Sequence, residues 1–113
     1  MSWPKASVDK EALLYDLASG LECERKRMFG APVLFAGGSM FAGVFADDIF
    51  LRLDDGERAR FLKENKGAHG FEPVPGKRMN EYVVVPHTLL KNKAGLREWL
   101  SMSRDYAANI KGG

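Results

Sequence analysis

The side chains able to do chemistry are few and scattered. His69 and His87 stand 18 residues apart, neither beside a cysteine, and Cys23 is the sole thiol. Zinc ligands come in closely spaced pairs, so no metal site is expected. His87 follows Pro86 directly and reads as a surface residue at the start of a helical turn. The acidic pairs Asp47-Asp48 and Asp54-Asp55 lack the D-x-D-x-D-G frame of a calcium loop, and a turn and a helix cap account for them. Ser39, in Gly37-Gly38-Ser39-Met40-Phe41, lacks the second glycine of a nucleophile elbow and leads into a strand where an elbow needs a helix. Arg25 and Lys26 near Cys23 would favour its thiolate, but no resolving cysteine accompanies it, and it reads as a small structural residue. Glycine-rich phosphate loops are missing. No catalytic residue, metal or cofactor is expected, and the chain reads as a non-enzyme.

The cations offer the best polar lead. Strand alternation over Arg25-Lys26-Arg27 sends Arg25 and Arg27 to one face and Lys26 to the other. Two arginines beside Phe29 suit a phosphate or a stacked base. The reading preferred to that one is that they pair with Asp47, Asp48 or Glu81 on neighbouring strands. Lys77-Arg78 is a second small cluster. The overall balance, 17 Lys+Arg against 15 Asp+Glu, leaves a net +2, short of the concentrated basic field typical of nucleic-acid binders.

These residues must be positioned by one domain. At 113 residues, 45% hydrophobic and 28% charged, the chain suits a single soluble domain over 1–113 with its core at about 8–110. No apolar run reaches membrane-span length, and Met1-Ser2-Trp3-Pro4-Lys5 begins no signal peptide. One cysteine fits a reducing cytoplasm.

Ser7 is a plausible N-cap, with Asp9 and Glu11 in the first turn. Leu14, Leu17, Ala18 and Leu21 follow helical spacing up to a left-handed stop at Gly20. The period then changes to two. Strands are expected at 24–29, 33–36, 40–46 and 49–53, linked by Gly30-Ala31-Pro32, Gly37-Gly38 and Asp47-Asp48, an antiparallel meander. A short helix runs from the Asp54-Asp55 cap to Asn65. Residues 66–76, rich in glycine and proline, read as a loop pinned by Phe71. A fifth strand covers 82–85, and Pro86 starts a helical turn with Leu89 and Leu90 inward. Asn92 caps a last helix with the stripe Leu96, Trp99, Leu100, Ser103, Tyr106, Ala107 and Ile110.

The order α-β-β-β-β-α-β-α gives an α+β fold, a two-layer sandwich of a mainly antiparallel five-stranded sheet with helices. The third strand is apolar on both sides, with Met40, Ala42, Val44 and Ala46 on one and Phe41, Gly43 and Phe45 on the other. Helices cover one face, so the second must meet the Phe71 loop, a short helix or another subunit. A homodimer is expected, with Phe41, Phe45 and Phe50 as the protein-binding surface and Arg25 and Arg27 as polar edge contacts.

Arg27-Met28-Phe29-Gly30, Phe35, Gly38, Met40-Phe41-Ala42, Leu51-Arg52-Leu53, Phe71, Met79, Tyr82, Pro86, Leu96, Trp99 and Leu100 together resemble the TfoX N-terminal domain family. The likeness covers roughly 10–108 and is strongest at 27–53. Ala31, where the family commonly has a second glycine, and Glu72-Pro73, where an aromatic is expected, depart from it. The resemblance implies a mainly antiparallel sheet flanked by helices in a secretion-chaperone-like arrangement. It also implies a link to TfoX/Sxy regulators of natural competence, which act with a transcription factor on promoters and are not known as catalysts. The shared residues are large apolar groups and glycines, a packing signature without catalytic roles to transfer.

Three functions stay open. The first is a cytoplasmic, non-enzymatic regulatory or adaptor domain working through protein contacts, with a transcription factor as one candidate partner. The second is a nucleic-acid-binding accessory using Arg25, Lys26, Arg27, Lys77 and Arg78. The third is a small-molecule or enzymatic site near residues 66–78, with His69 as acid or base.

Overall fold

The structure is a computed structural model and describes residues 3–110. The expected domain limits 1–113 run beyond the described residues at both ends, as do Met1 and Ser2 of the N-terminal motif. Helix α1 (Val8–Leu17) starts where expected: the Ser7 hydroxyl accepts the Lys10 N–H at 3.3 Å. It ends earlier than the Gly20 stop, at an Ala18 cap, and Gly20 takes its left-handed φ of 89° in the turn beyond.

Strands β1 (Glu24–Met28), β2 (Ala31–Ala36), β3 (Ser39–Phe45) and β4 (Asp48–Arg52) form the antiparallel meander. Ala31-Pro32 belongs to β2, because Phe29 and Gly30 alone make the turn, with φ of 52° and 81°. A two-residue loop with both φ positive is the hairpin turn that matches the twist of antiparallel strands. Helix α2 (Asp55–Glu64) is capped by Asp54, which accepts the Glu57 N–H at 2.8 Å. A single 3₁₀ turn, Leu89–Lys91, precedes α3 (Lys93–Ala108), where Asn92 accepts the Gly95 N–H at 3.1 Å. Ile110 lies past the end of α3.

The sheet has six strands in place of the expected five. The glycine- and proline-rich stretch is strand β5 (His69–Val74), hairpinned to a longer β6 (Lys77–Val84). The order is β1-β2-β3-β4-β6-β5, every neighbouring pair antiparallel. Two register shifts flank Phe71, as expected where Pro73 interrupts the ladder at a sheet edge.

The alternation expected for the third strand is also corrected. Leu34 pairs with Ala42 but Phe35 pairs with Met40, leaving Phe41 as an extra residue. Such a bulge flips the strand's faces beyond it. Phe41 therefore joins Ala42 and Val44 in the core under the helices, with Leu14, Leu17, Leu96 and Leu100. Met40 moves to the opposite face with Phe45 and Phe50.

That opposite face is covered from within the protomer. Trp3, 9% exposed, places its ring 5.3 to 6.0 Å from those of Phe29, Phe45, Phe50 and Phe71. Its segment is held by the Ser7 N–H, which donates to Ala46 O at 2.8 Å, and by a Lys10–Asp47 ion pair at 3.0 Å. From the other end Phe71 stacks on Phe50, with centroids 4.4 Å apart. The premise of the expected dimer, more apolar surface than one protomer can hide, does not hold for these rings. No helix among the described residues is long and apolar enough to cross a membrane.

Candidate functional site

The aromatic trio separates in space. Phe41 and Phe50 are both 0% exposed, one beneath the helices and the other inside the ring cluster, so neither offers surface to a partner. Only Phe45 is half-buried, edge-on to Trp3 and Phe71. The bulge at Phe41 and the cover from Trp3 are the physical reasons.

The cations separate as well. Arg25 stacks over the Tyr15 ring at 4.4 Å, and Arg27 pairs with Glu11 at 2.8 Å while donating to Gly30 O at 2.7 Å. Lys26 lies over Phe35 at 4.5 Å, near Glu24. The split by alternation is as expected, but the partners of Arg25 and Arg27 are Tyr15 and Glu11 of α1. Asp47 pairs with Lys10, Asp48 with His87 and Glu81 with Arg52. Lys77 and Arg78 lie on β6, four strand positions from β1, or roughly 19 Å along a flat sheet. The five cations expected for nucleic acid thus form two groups.

Cys23 is half-buried, and burial pushes its thiol up, with Arg25 and Arg104 pulling the other way. The favoured thiolate suggested by its cationic neighbours is therefore not realised. Ser39 is 2% exposed and out of reach of a substrate.

Two features remain, one at the 66–78 stretch where the third reading put a small-molecule site and one that the sequence did not announce. The first is a cleft of about 300 Å³ where the β5–β6 hairpin bends beside β4. Phe45 and Val84 edge it over the buried rings of Phe50 and Phe71, and Asp48, His69, Glu72 and Arg78 line it with polar groups. His69 Nδ1 is 2.9 Å from Gly70 O, a contact that needs Nδ1 as the donor and leaves Nε2 without a hydrogen-bond partner among the described residues. Glu72 Oε2 accepts the Gly76 N–H at 2.9 Å, and Asp48 Oδ1 meets His87 Nε2 at 3.0 Å. His69, Glu72 and Arg78 thus share one concavity, but no side chain among the described residues hydrogen-bonds His69 to orient it as an acid or base. No group of three or more His, Cys, Asp or Glu among the described residues is placed to hold a metal ion.

The second is Phe29, 55% exposed at the tip of the β1–β2 hairpin with a φ of 52°. A left-handed conformation costs a non-glycine residue about 1–2 kcal/mol. Asn-Gly is the residue pair that adopts this turn readily. The aromatic ring at this position lies mostly in solvent and leans on Trp3 at 5.7 Å, held there at a cost in backbone stability.

The other polar clusters serve the fold. Glu81 accepts the Tyr106 hydroxyl at 2.6 Å and pairs with Arg52, which holds its carboxyl below the usual glutamate range. Buried Ser103 and Tyr82 bond to backbone carbonyls of β3.

Among curated proteins none matches the chain. The TfoX N-terminal domain family matches residues 16–107, a span from α1 through α3 that includes the hairpin tip, the bulge and all six strands. With that match over most of its length, the chain belongs to the TfoX N-terminal domain family.

Proposed function

We propose that this chain is a non-enzymatic regulatory or adaptor domain of the TfoX type, acting through protein contacts centred on the β1–β2 hairpin. One observation carries the reading: Phe29 is exposed on a backbone conformation that disfavours it. Strain of this kind concentrates at functional sites. Exposed aromatic residues are the side chains most often responsible for binding energy at interfaces. Arg25 and Arg27, exposed on the α1 side of the same hairpin, are the polar contacts at its edge. The contact surface is thereby moved from the buried Phe41 and Phe50 to the hairpin tip. A transcription factor or a second copy of the chain are the partners to test, in the cytoplasmic setting that an unpaired thiol suits.

The experiment uses wild type and Phe29→Asn as paired baits in native lysate, with the retained protein identified and its affinity remeasured in purified form. Sedimentation of both baits reads self-association. Asn keeps the turn and removes the ring. The expected result is a partner, or a second copy, bound at least tenfold more weakly by the variant while its fold is unchanged. Equal binding by the two would refute the assignment.

A further inference from the structure

The two edges of the sheet differ in regularity. At β5 two register shifts and Pro73 break the ladder. At β1 five consecutive residue pairs run against β2 without a shift, and no strand lies on the outer side. The two-residue turn at Phe29-Gly30 makes Met28–Ala31 a hydrogen-bonded pair, and the pair types then alternate along the ladder. Lys26 and Glu24 therefore bond inward to β2, while the N–H and C=O groups of Arg25 and Arg27 point off the sheet. Pro32 agrees with this phase: it stands opposite Arg27, where its missing N–H costs no bond to β1. The main chains of Arg25 and Arg27 make no other hydrogen bond among the described residues.

An open edge invites pairing, and here charge decides with what. Arg25, Lys26 and Arg27 are all exposed. In full antiparallel overlap with β1 of a second copy, Lys26 would face Lys26 and Arg25 would face Arg27. Like charges directly opposite destabilise a pair, and opposite charges stabilise it. We infer that the β1 edge accepts an acidic extended segment of a partner protein as a seventh, antiparallel strand, with carboxylates opposite Arg27 and Arg25. The segment's main chain bonds to the outward groups of those two residues, and its side chains supply the specificity. Lys26 and Arg27 already have carboxylate neighbours, Glu24 at 3.8 Å and Glu11 at 2.8 Å. Arg25 is stacked on Tyr15 without one among the described residues, so the acid opposite it matters most. The residue just before the first acid faces Met28, half-buried against the Trp3 cluster, and lies beside Phe29. The segment therefore reads apolar, acidic, any, acidic. This inference rests on the hairpin reading proposed above and gives its partner a chemistry.

The test is titration of the full chain with the peptide acetyl-Thr-Leu-Glu-Val-Glu-Thr-amide, followed through amide hydrogen exchange. The peptide is expected to protect the Arg25 and Arg27 amides saturably, with the Lys26 amide, already bonded to β2, changing least. A peptide with lysine for both glutamates should bind about tenfold more weakly, as should the original peptide to Arg25→Glu. N-methylation of the two glutamates removes the N–H groups that face β1 and should also cost about tenfold, whereas N-methylation of the valine, whose N–H points away, should not. Binding without protection of Arg25 and Arg27, or equal loss from the two N-methyl patterns, would overturn the proposal. Protection that grows with the concentration of the chain alone would overturn it too, by placing a second copy at the edge. So would absence of binding; if Phe29→Asn still weakens the hairpin's partner, the hairpin reading survives without strand addition.

Discussion

The Ser103 hydroxyl on α3 lies 2.8 Å from the Phe41 carbonyl of β3 and 2.6 Å from the Arg52 carbonyl of β4, and it accepts the Arg52 N–H at 3.2 Å. The β3–β4 ladder stops at the Ala42–Leu51 pair, next to the bulge. There a side chain takes over from the strand partner. On the opposite face the Tyr82 hydroxyl donates to Met40 O at 2.9 Å. Two hydroxyls from distant elements thus serve adjacent carbonyls at one irregularity.

Ser103→Ala should destabilise by about 1–3 kcal/mol, because it leaves buried backbone groups without a partner. Tyr82→Phe should cost about 1 kcal/mol. The double variant should lose less than the sum by at least about 0.5 kcal/mol, since both act on the same bulge. Urea denaturation of the four proteins measures this.

Trp3→Ala should cost about 3–5 kcal/mol, the range for removing a large buried aromatic ring. It should also uncover Phe45, Phe50 and Phe71. Dye binding to exposed apolar surface and concentration-dependent sedimentation should both rise. A variant that stays monomeric, without dye binding, would show that the ring cluster closes up unaided.

Glu81 should give the acid limb of stability a residue-specific component. Its carboxyl is held low by the Tyr106 hydroxyl and Arg52, against the opposing effect of burial. A depressed folded-state pKa stabilises fully above the unfolded value, and the contribution disappears as pH falls through the folded one. Glu81→Gln should therefore be less stable than wild type at neutral pH, and the gap should narrow below about pH 4. Denaturation midpoints from pH 7 down to 3 check the sign.

Phe29→Asn should match wild type in stability or exceed it by about 1 kcal/mol. Relief of the left-handed penalty offsets loss of the Trp3 contact. Thermal unfolding reads this directly. A clear loss of stability would mark Phe29 as a structural residue.

The helix caps were legible because Ser7, Asp54 and Asn92 each act on a backbone group three residues away. The meander was legible for the same reason: its turns are local. Strand β5 was not, since Gly70, Pro73 and Pro75 carry turn chemistry and its ladder is supplied by β6. The bulge left no trace because residues on both sides of β3 are apolar, so a flipped alternation looks like an unflipped one. Trp3 has no periodic neighbours to signal that it covers a sheet. His69, Glu72 and Arg78 become a cleft only when the hairpin bends, and Phe29-Gly30 lacks the asparagine that usually announces its turn. The family resemblance, resting on packing residues, was legible throughout 27–53 and agrees with the match over 16–107.

The strand order has a consequence for assembly of the chain. Within β1 to β4, and again within β5 and β6, the strands pair as sequence neighbours, and a ladder of three residue pairs between β4 and β6 joins the two blocks. Cut in the link between Glu64 and His69, the polypeptide yields two pieces, each holding its own complete hairpins. Mixed, they should reunite along that short seam beneath α3, which makes this fold a natural split reporter.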